Sequence, residues 1–223
     1  MIVKKQHHNR RGALALVGGA LAGLVLPGDP VFAAAPTPSF FNSHEKPSKN
    51  MKPFKKWLTA LKRYSKERAN AKAGGCEAQE MNTCNYKHWM SFLKKVKGLS
   101  KLDQLHAVNK RMNGAKYVVD QANWGEKDYW ASPGEFMQRF GDCEDYAIVK
   151  YLSLRLLGWK DADLRVVAVK DLNLKVGHAV LVAFIDGKTY LLDNQIKKVV
   201  ETTSVRHYKP VFSINTTYWW RHS

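Results

Sequence analysis

Cysteine is scarce in this chain: three among 223 residues, too few for a fold held by disulfides. Acidic residues are also few, 19 Asp and Glu against 36 Lys and Arg, for a formal net charge of +17. Beyond one N-terminal stretch, no apolar run approaches the roughly 20 residues of a membrane-spanning helix. No internal repeat is visible, and no nucleic-acid-binding motif accompanies the positive charge. What is present is 45% hydrophobic and 25% charged, the balance of a globular protein with its own core.

The N-terminal stretch reads as an address. Lys4, Lys5, Arg10 and Arg11 precede the apolar segment Gly12 to Leu26, and the small residues around Val31 to Ala35 offer a cleavage site. Residues 1–35 therefore read as a secretory signal peptide. Cleavage would remove four basic residues and Asp29, leaving 32 basic against 18 acidic, a net charge of +14. Most of the excess lies in residues 44–101, with 15 Lys and Arg against four Asp and Glu. That segment reads as a solvated helical face or as a surface for an anionic partner, and export argues against nucleic acid.

Residues 36–53, rich in Pro, Ser, Asn and Lys, are expected to form a flexible lead-in. Residues 54–223 are expected to form one domain, helical over 54–158 and mainly strands over 163–215. Phe54, Trp57, Leu58, Leu61 and Tyr64 follow helical spacing, as do Trp89, Phe92, Leu93 and Val96. Ser100 with Asp103 signals a third helix start, and Ser132-Pro133-Gly134-Glu135 a fourth. A further helix is expected from about Cys143 to Leu157, stopped by Gly158. Leu164–Val169, His178–Ile185, Lys188–Leu192 and Val211–Ile214 have strand composition. Helices followed by an antiparallel meander define an α+β fold.

In an oxidising compartment thiols pair, and three is odd. Cys76 and Cys84 lie eight apart in one polar loop and are expected to form a disulfide. Zinc held by Cys76, Cys84 and His88 would lack a fourth ligand. Cys143 is then left alone, in Gly141-Asp142-Cys143-Glu144-Asp145-Tyr146, at a predicted helix N-terminus. Unpaired N–H groups and the helix dipole there favour a thiolate and could receive an oxyanion.

A thiolate nucleophile needs a base and a group to orient it. Asp186-Gly187 is a strong two-residue hairpin signal. With those two as the loop, Val182 faces Leu191 and Val180 faces Asp193. His178 then shares a face with Asp193, diagonal to it and within reach. A slip of one residue would separate them.

The stretch Asp128-Tyr129-Trp130-Ala131-Ser132-Pro133, the Gly141–Ala147 segment, Gly177-His178-Ala179-Val180-Leu181, Leu192-Asp193-Asn194 and Pro210–Asn215 together resemble the bacterial transglutaminase-like cysteine proteinases. The resemblance spans roughly residues 100–215 in order. It implies a papain-like or transglutaminase-like core with Cys143 as nucleophile, His178 as general base and then acid, and Asp193 as orienter. It also implies calcium, held by the carboxylates flanking the nucleophile, Asp142, Glu144 and Asp145. Proteases of this type are periplasmic and cut a large surface adhesin near its N-terminus at a paired-alanine site, releasing a biofilm. They are restrained by the periplasmic domain of an inner-membrane cyclic di-GMP receptor. Without a cation, three carboxylates beside Cys143 would oppose its thiolate. Two other readings stand beside this one: acyl transfer through the same thioester, and a non-catalytic binding module on the same scaffold, against which an intact Cys143, His178 and Asp193 weigh.

Overall fold

The computed structural model describes residues 39–73 and 83–223. The signal-peptide segment 1–35, Cys76 and the side chain of Cys84 lie outside the described residues, as does the expected Cys76–Cys84 pairing.

The short strand β1 (Glu45–Ser48) is followed by helices α1 (Lys55–Ala73), α2 (Thr83–Val96), α3 (Lys101–Met112), α4 (Asp120–Asn123), α5 (Pro133–Arg139) and α6 (Cys143–Leu156). Strands β2 (Leu164–Asp171), β3 (Gly177–Ile185), β4 (Lys188–Leu192), β5 (Val200–Glu201), β6 (Tyr208–Ile214) and β7 (Trp219–His222) complete the fold. All pair antiparallel in one sheet, ordered β1-β7-β6-β2-β3-β4-β5. The fold is α+β, as the order of elements in the sequence implies.

Helix α6 is the pivot. Every residue from Asp145 to Leu154 is buried, because the helix is covered by β2 and β3 on one side and by α3 and α5 on the other. Its apolar side chains join Trp57, Trp89, Leu105, Val108, Leu181 and Ala183 in the larger core. Alternate residues of the same strands, Val167, Val169, Val180, Val182, Phe184 and Leu191, form a second core on the opposite sheet face. Strand β3 supplies both, which is why its sequence is a nearly unbroken apolar run.

Helix starts follow their local chemistry. Ser100 accepts from the Asp103 N–H at 3.2 Å, and Ser132 and Glu135 close a reciprocal capping box at α5. Asp186 and Gly187 turn with φ of 47° and 80°, fixing Ile185 opposite Lys188, Phe184 opposite Thr189 and Val182 opposite Leu191.

Two expectations need correction. The strands are not a simple meander: β6 and β7 cross back to the far side of β2. Nor is the lead-in free throughout: within it, β1 pairs with β7, and Phe40 is 1% exposed in the second core. Glu45 on this strand pairs with the buried Arg165, and Ser43 bonds the His222 ring at 2.8 Å. Polar composition concealed one buried ring and one ion pair, enough to pin the edge strand. Trp219 packs on Phe54 and Trp220 on the Arg165 guanidinium, so both turn back onto the domain.

Candidate active site

The end of the sheet next to the α6 N-terminus brings together three segments far apart in sequence. Cys143 is the first residue of α6, half-buried, and the one free cysteine among the described residues. The backbone N–H of Ala179, adjacent to His178, acts on the Cys143 sulfur in the direction that favours its thiolate. His178 faces Val169 across the β2–β3 pair and is 5% exposed. Its Nε2 lies 2.9 Å from Asp193 Oδ1, so the diagonal contact read from the hairpin register is made. The bond to Nε2 leaves Nδ1 as the ring nitrogen free to exchange a proton, with the Gln195 amide 3.5 Å away.

Asp193 is buried and heavily solvated by protein. Beyond His178 it accepts from the Gln195 N–H at 2.9 Å and from the Tyr208 hydroxyl at 2.7 Å. Burial raises the pKa of this carboxyl, but the His178 contact and these donors outweigh it, holding the group below the ordinary carboxylate range. Asn113, which caps the C-terminus of α3, donates to the Asp193 carbonyl at 2.7 Å and fixes the loop that carries it.

Around the sulfur the electrostatics run the other way. Burial comes first, then the charge of Glu144, its hydrogen bond with the thiol at 3.1 Å, and the charge of Asp142; together they push the Cys143 thiol up. The helix N-terminus alone does not lower it.

The carboxylates form a cluster wider than the sequence suggested. Ligand-capable oxygens of Asp120, Asp142 and Asp145 lie within 4.8 Å of one another, as do those of Asp120, Asp128 and Glu144. Asp120, at the start of α4, thus links these two groups, while Asp142 and Glu144 share a third with the Cys143 sulfur. Burial pushes Asp120 up to about 6 and Asp142 and Asp145 up to about 8, with mutual repulsion adding to it. Asp145 is the most committed: its oxygens accept from Ala131 N–H at 2.7 Å and Asp142 N–H at 3.2 Å. Asp120 Oδ1 and Asp142 Oδ1 are buried with no hydrogen-bond partner.

Gly141 makes this packing possible. A Cβ there would stand 2.1 Å from Asp145 Oδ2, inside any tolerable contact. The basic segment also contributes: Lys56 pairs with Asp128 at 2.5 Å and Arg63 with Glu135 at 2.9 Å, binding α1 to α5 and to the loop before it.

Sequence reasoning named Cys143, His178, Asp193, Asp142, Glu144 and Asp145; the structure joins His178 to Asp193, brings Asp142, Cys143 and Glu144 together, and sets Asp145 beside Asp142. It missed Asp120, Tyr208, Gln195 and Asn113. Tyr208 lies just before the Pro210–Asn215 motif, but its approach to Asp193 depends on β6 crossing to β2, which no local pattern signals. Asp120 has a signal only in hindsight, as the carboxylate upstream of Asn123, Trp124 and Asp128.

Residues 72–221 match the family described as bacterial transglutaminase-like cysteine proteinase. Among solved structures, the chain is similar to calcium-bound LapG from Legionella pneumophila, with 28% identity and a TM-score of 0.60 over 71% of this chain and 87% of that one. It is similar to the EGTA-treated form of the same protein at 28% identity and a TM-score of 0.59, covering 71% and 84%. No curated protein sequence matches the chain.

Proposed function

The chain belongs to the bacterial transglutaminase-like cysteine proteinases, and from that premise we propose that it is a calcium-dependent cysteine endopeptidase with Cys143 as nucleophile, His178 as general base and acid, and Asp193 as orienter. One observation carries the reading: the buried His178 is held through Nε2 by Asp193 at 2.9 Å, the base and orienter that a cysteine nucleophile requires.

In this reading the Cys143 sulfur attacks the scissile carbonyl carbon as its proton passes to His178 Nδ1. Asp193 keeps Nε2 protonated and supports the imidazolium that results. First-turn amides of α6 face the charge that develops on the carbonyl oxygen. The C–N bond breaks as His178 returns the proton to the leaving amine, leaving a thioester on Cys143. His178 then takes a proton from water, whose oxygen displaces the sulfur and releases the new carboxylate.

The donor set fits calcium: five carboxylates, all hard oxygen ligands, with two buried oxygens still unpartnered. Asp120, Asp142 and Glu144 would hold the ion, with Asp128 and Asp145 completing the acidic wall. When bound, it would balance the carboxylates that oppose the Cys143 thiolate.

The family resemblance supports, for the substrate, the N-terminal region of a large surface adhesin cut at a paired-alanine site, so that cleavage releases a biofilm. It likewise supports export to the periplasm by residues 1–35, and restraint by the periplasmic domain of an inner-membrane cyclic di-GMP receptor. An adhesin fragment bearing the paired alanines, incubated with the protein in calcium or in chelator, tests the whole reading on a gel. Two fragments in calcium and none in chelator are expected. An intact substrate under both conditions, or an acyl–amine product in place of hydrolysis when a primary amine is added, would overturn it.

A further inference from the structure

A tight turn with left-handed backbone selects Asn and Gly, yet the turn just before β1 carries a phenylalanine. Phe41 and Asn42 have φ of 52° and 51°, and the Ser43 N–H closes the turn on the Phe40 carbonyl at 3.3 Å. Positive φ at both central positions is the pattern of a type I′ turn, where a bulky side chain is a true outlier. The turn is held from both sides. Phe40 packs edge-on against Phe184 and tilted against His222, and Ser43 Oγ lies 2.8 Å from His222 Nδ1. Strain that neighbours hold in place points to a role for the side chain it aims.

Phe41 sits at the margin of the second core, half-buried, and borders an open cavity of about 470 Å³ with Thr203 and Arg206. What it meets there is the Tyr208 ring, edge-on, with centroids 6.0 Å apart. Tyr208 is buried and reaches both partners of the proposed base: its ring lies 5.6 Å from the His178 ring, and its hydroxyl donates to Asp193 Oδ2 at 2.7 Å. The other ring against it, His207 at 4.4 Å, is its own chain neighbour. Printed end to end, the contacts run from Phe41 to Tyr208, from Tyr208 to Asp193, and from Asp193 to His178.

We propose that Phe41 is a positioning residue for the reaction: it holds the Tyr208 ring so that the hydroxyl stays on Asp193, and through Asp193 it keeps His178 in place. The inference rests on the assignment of His178 and Asp193 made above. The cavity gives the Tyr208 ring room to tilt, and an edge-on ring is a directional contact that fixes the tilt. A small tilt would lengthen and misalign the bond to Asp193, and hydrogen bonds weaken steeply with angle.

The test is a double-mutant cycle on cleavage of a paired-alanine peptide in calcium. Phe41→Asn removes the ring but supplies a residue at home at positive φ, so the turn and Phe40 keep their places. It lowers kcat by about threefold to tenfold, as loss of the Tyr208 hydroxyl does, with KM within about twofold. Phe41→Tyr keeps the ring and cuts as the wild type does. In the Tyr208→Phe background Phe41→Asn costs nothing further, because the hydroxyl through which it acts is gone. Losses that multiply in the double variant overturn the proposal, since a general loosening of the fold acts whether or not the hydroxyl is present. So does a Phe41→Asn enzyme with the wild-type kcat. Cleavage that survives His178→Ala would instead overturn the triad reading, and the proposal with it.

Discussion

The Tyr208 hydroxyl is one of three donors that converge on the Asp193 carboxylate, and it can be deleted without leaving a cavity. Tyr208→Phe should lower kcat/KM by about threefold to tenfold, in line with one hydrogen bond to a charged group. Asp193→Asn should cost far more, about a thousandfold or beyond, because an amide in that place favours the wrong tautomer of His178. Steady-state kinetics on a cleavable peptide check both, and equal losses in the two variants would mean that Asp193 acts through something other than His178. The proposed triad was legible because Cys143 carries a helix-start signal and His178 and Asp193 are tied by a short hairpin. Asp120 and Tyr208 were not. Each reaches the site through packing between elements distant in sequence, and neither periodicity nor turn chemistry records such a meeting.

At the scale of elements, the site depends on how the loop before α6 enters the helix. Gly141 leaves room for the Asp145 carboxylate, which in turn ties Ala131 to Asp142. Gly141→Ala should destabilise the protein by about 1–3 kcal/mol, the usual cost of overpacking a filled site. It should weaken calcium binding as well, because it displaces the loop that carries Asp142. Thermal melts and titration calorimetry report the two effects, and an unchanged calcium affinity would detach the metal from this loop. Asp120→Asn should likewise weaken calcium binding, with the circular dichroism spectrum unaltered. The β3–β4 hairpin was readable because Asp186-Gly187 dictates a two-residue loop, and one register then places every partner. Strands β1 and β7 were missed for the opposite reason: they are short, polar at the edge, and fixed by Arg165 and the buried Phe40 rather than by alternation.

For the molecule as a whole, the crowded carboxylates set a pH dependence whose sign is determined. Asp120, Asp142 and Asp145 hold their protons to about 6, 8 and 8 in the fold, whereas an unfolded chain releases them near about 4. Between about pH 4 and about 8 the folded state binds more protons, so stability falls as pH rises. Asp193 runs the other way: its pKa is depressed, so its contribution is present above about pH 4 and lost as pH drops through its lower folded value. In chelator, Tm should therefore decline from about pH 5 to about pH 8, and calcium should restore it most at the alkaline end. A flat profile, or equal calcium stabilisation at both ends, would show that the carboxylates are not coupled to the ion.

The claim on which all of this depends is that Cys143 is a nucleophile armed by His178. An Ala-Ala chloromethyl ketone, reacted with the protein in calcium and read by intact mass and peptide mapping, addresses it directly. The account predicts a single adduct on Cys143 that His178→Ala and chelator each suppress. Label on Cys76 or Cys84 with Cys143 untouched, or alkylation of Cys143 indifferent to His178, would contradict it.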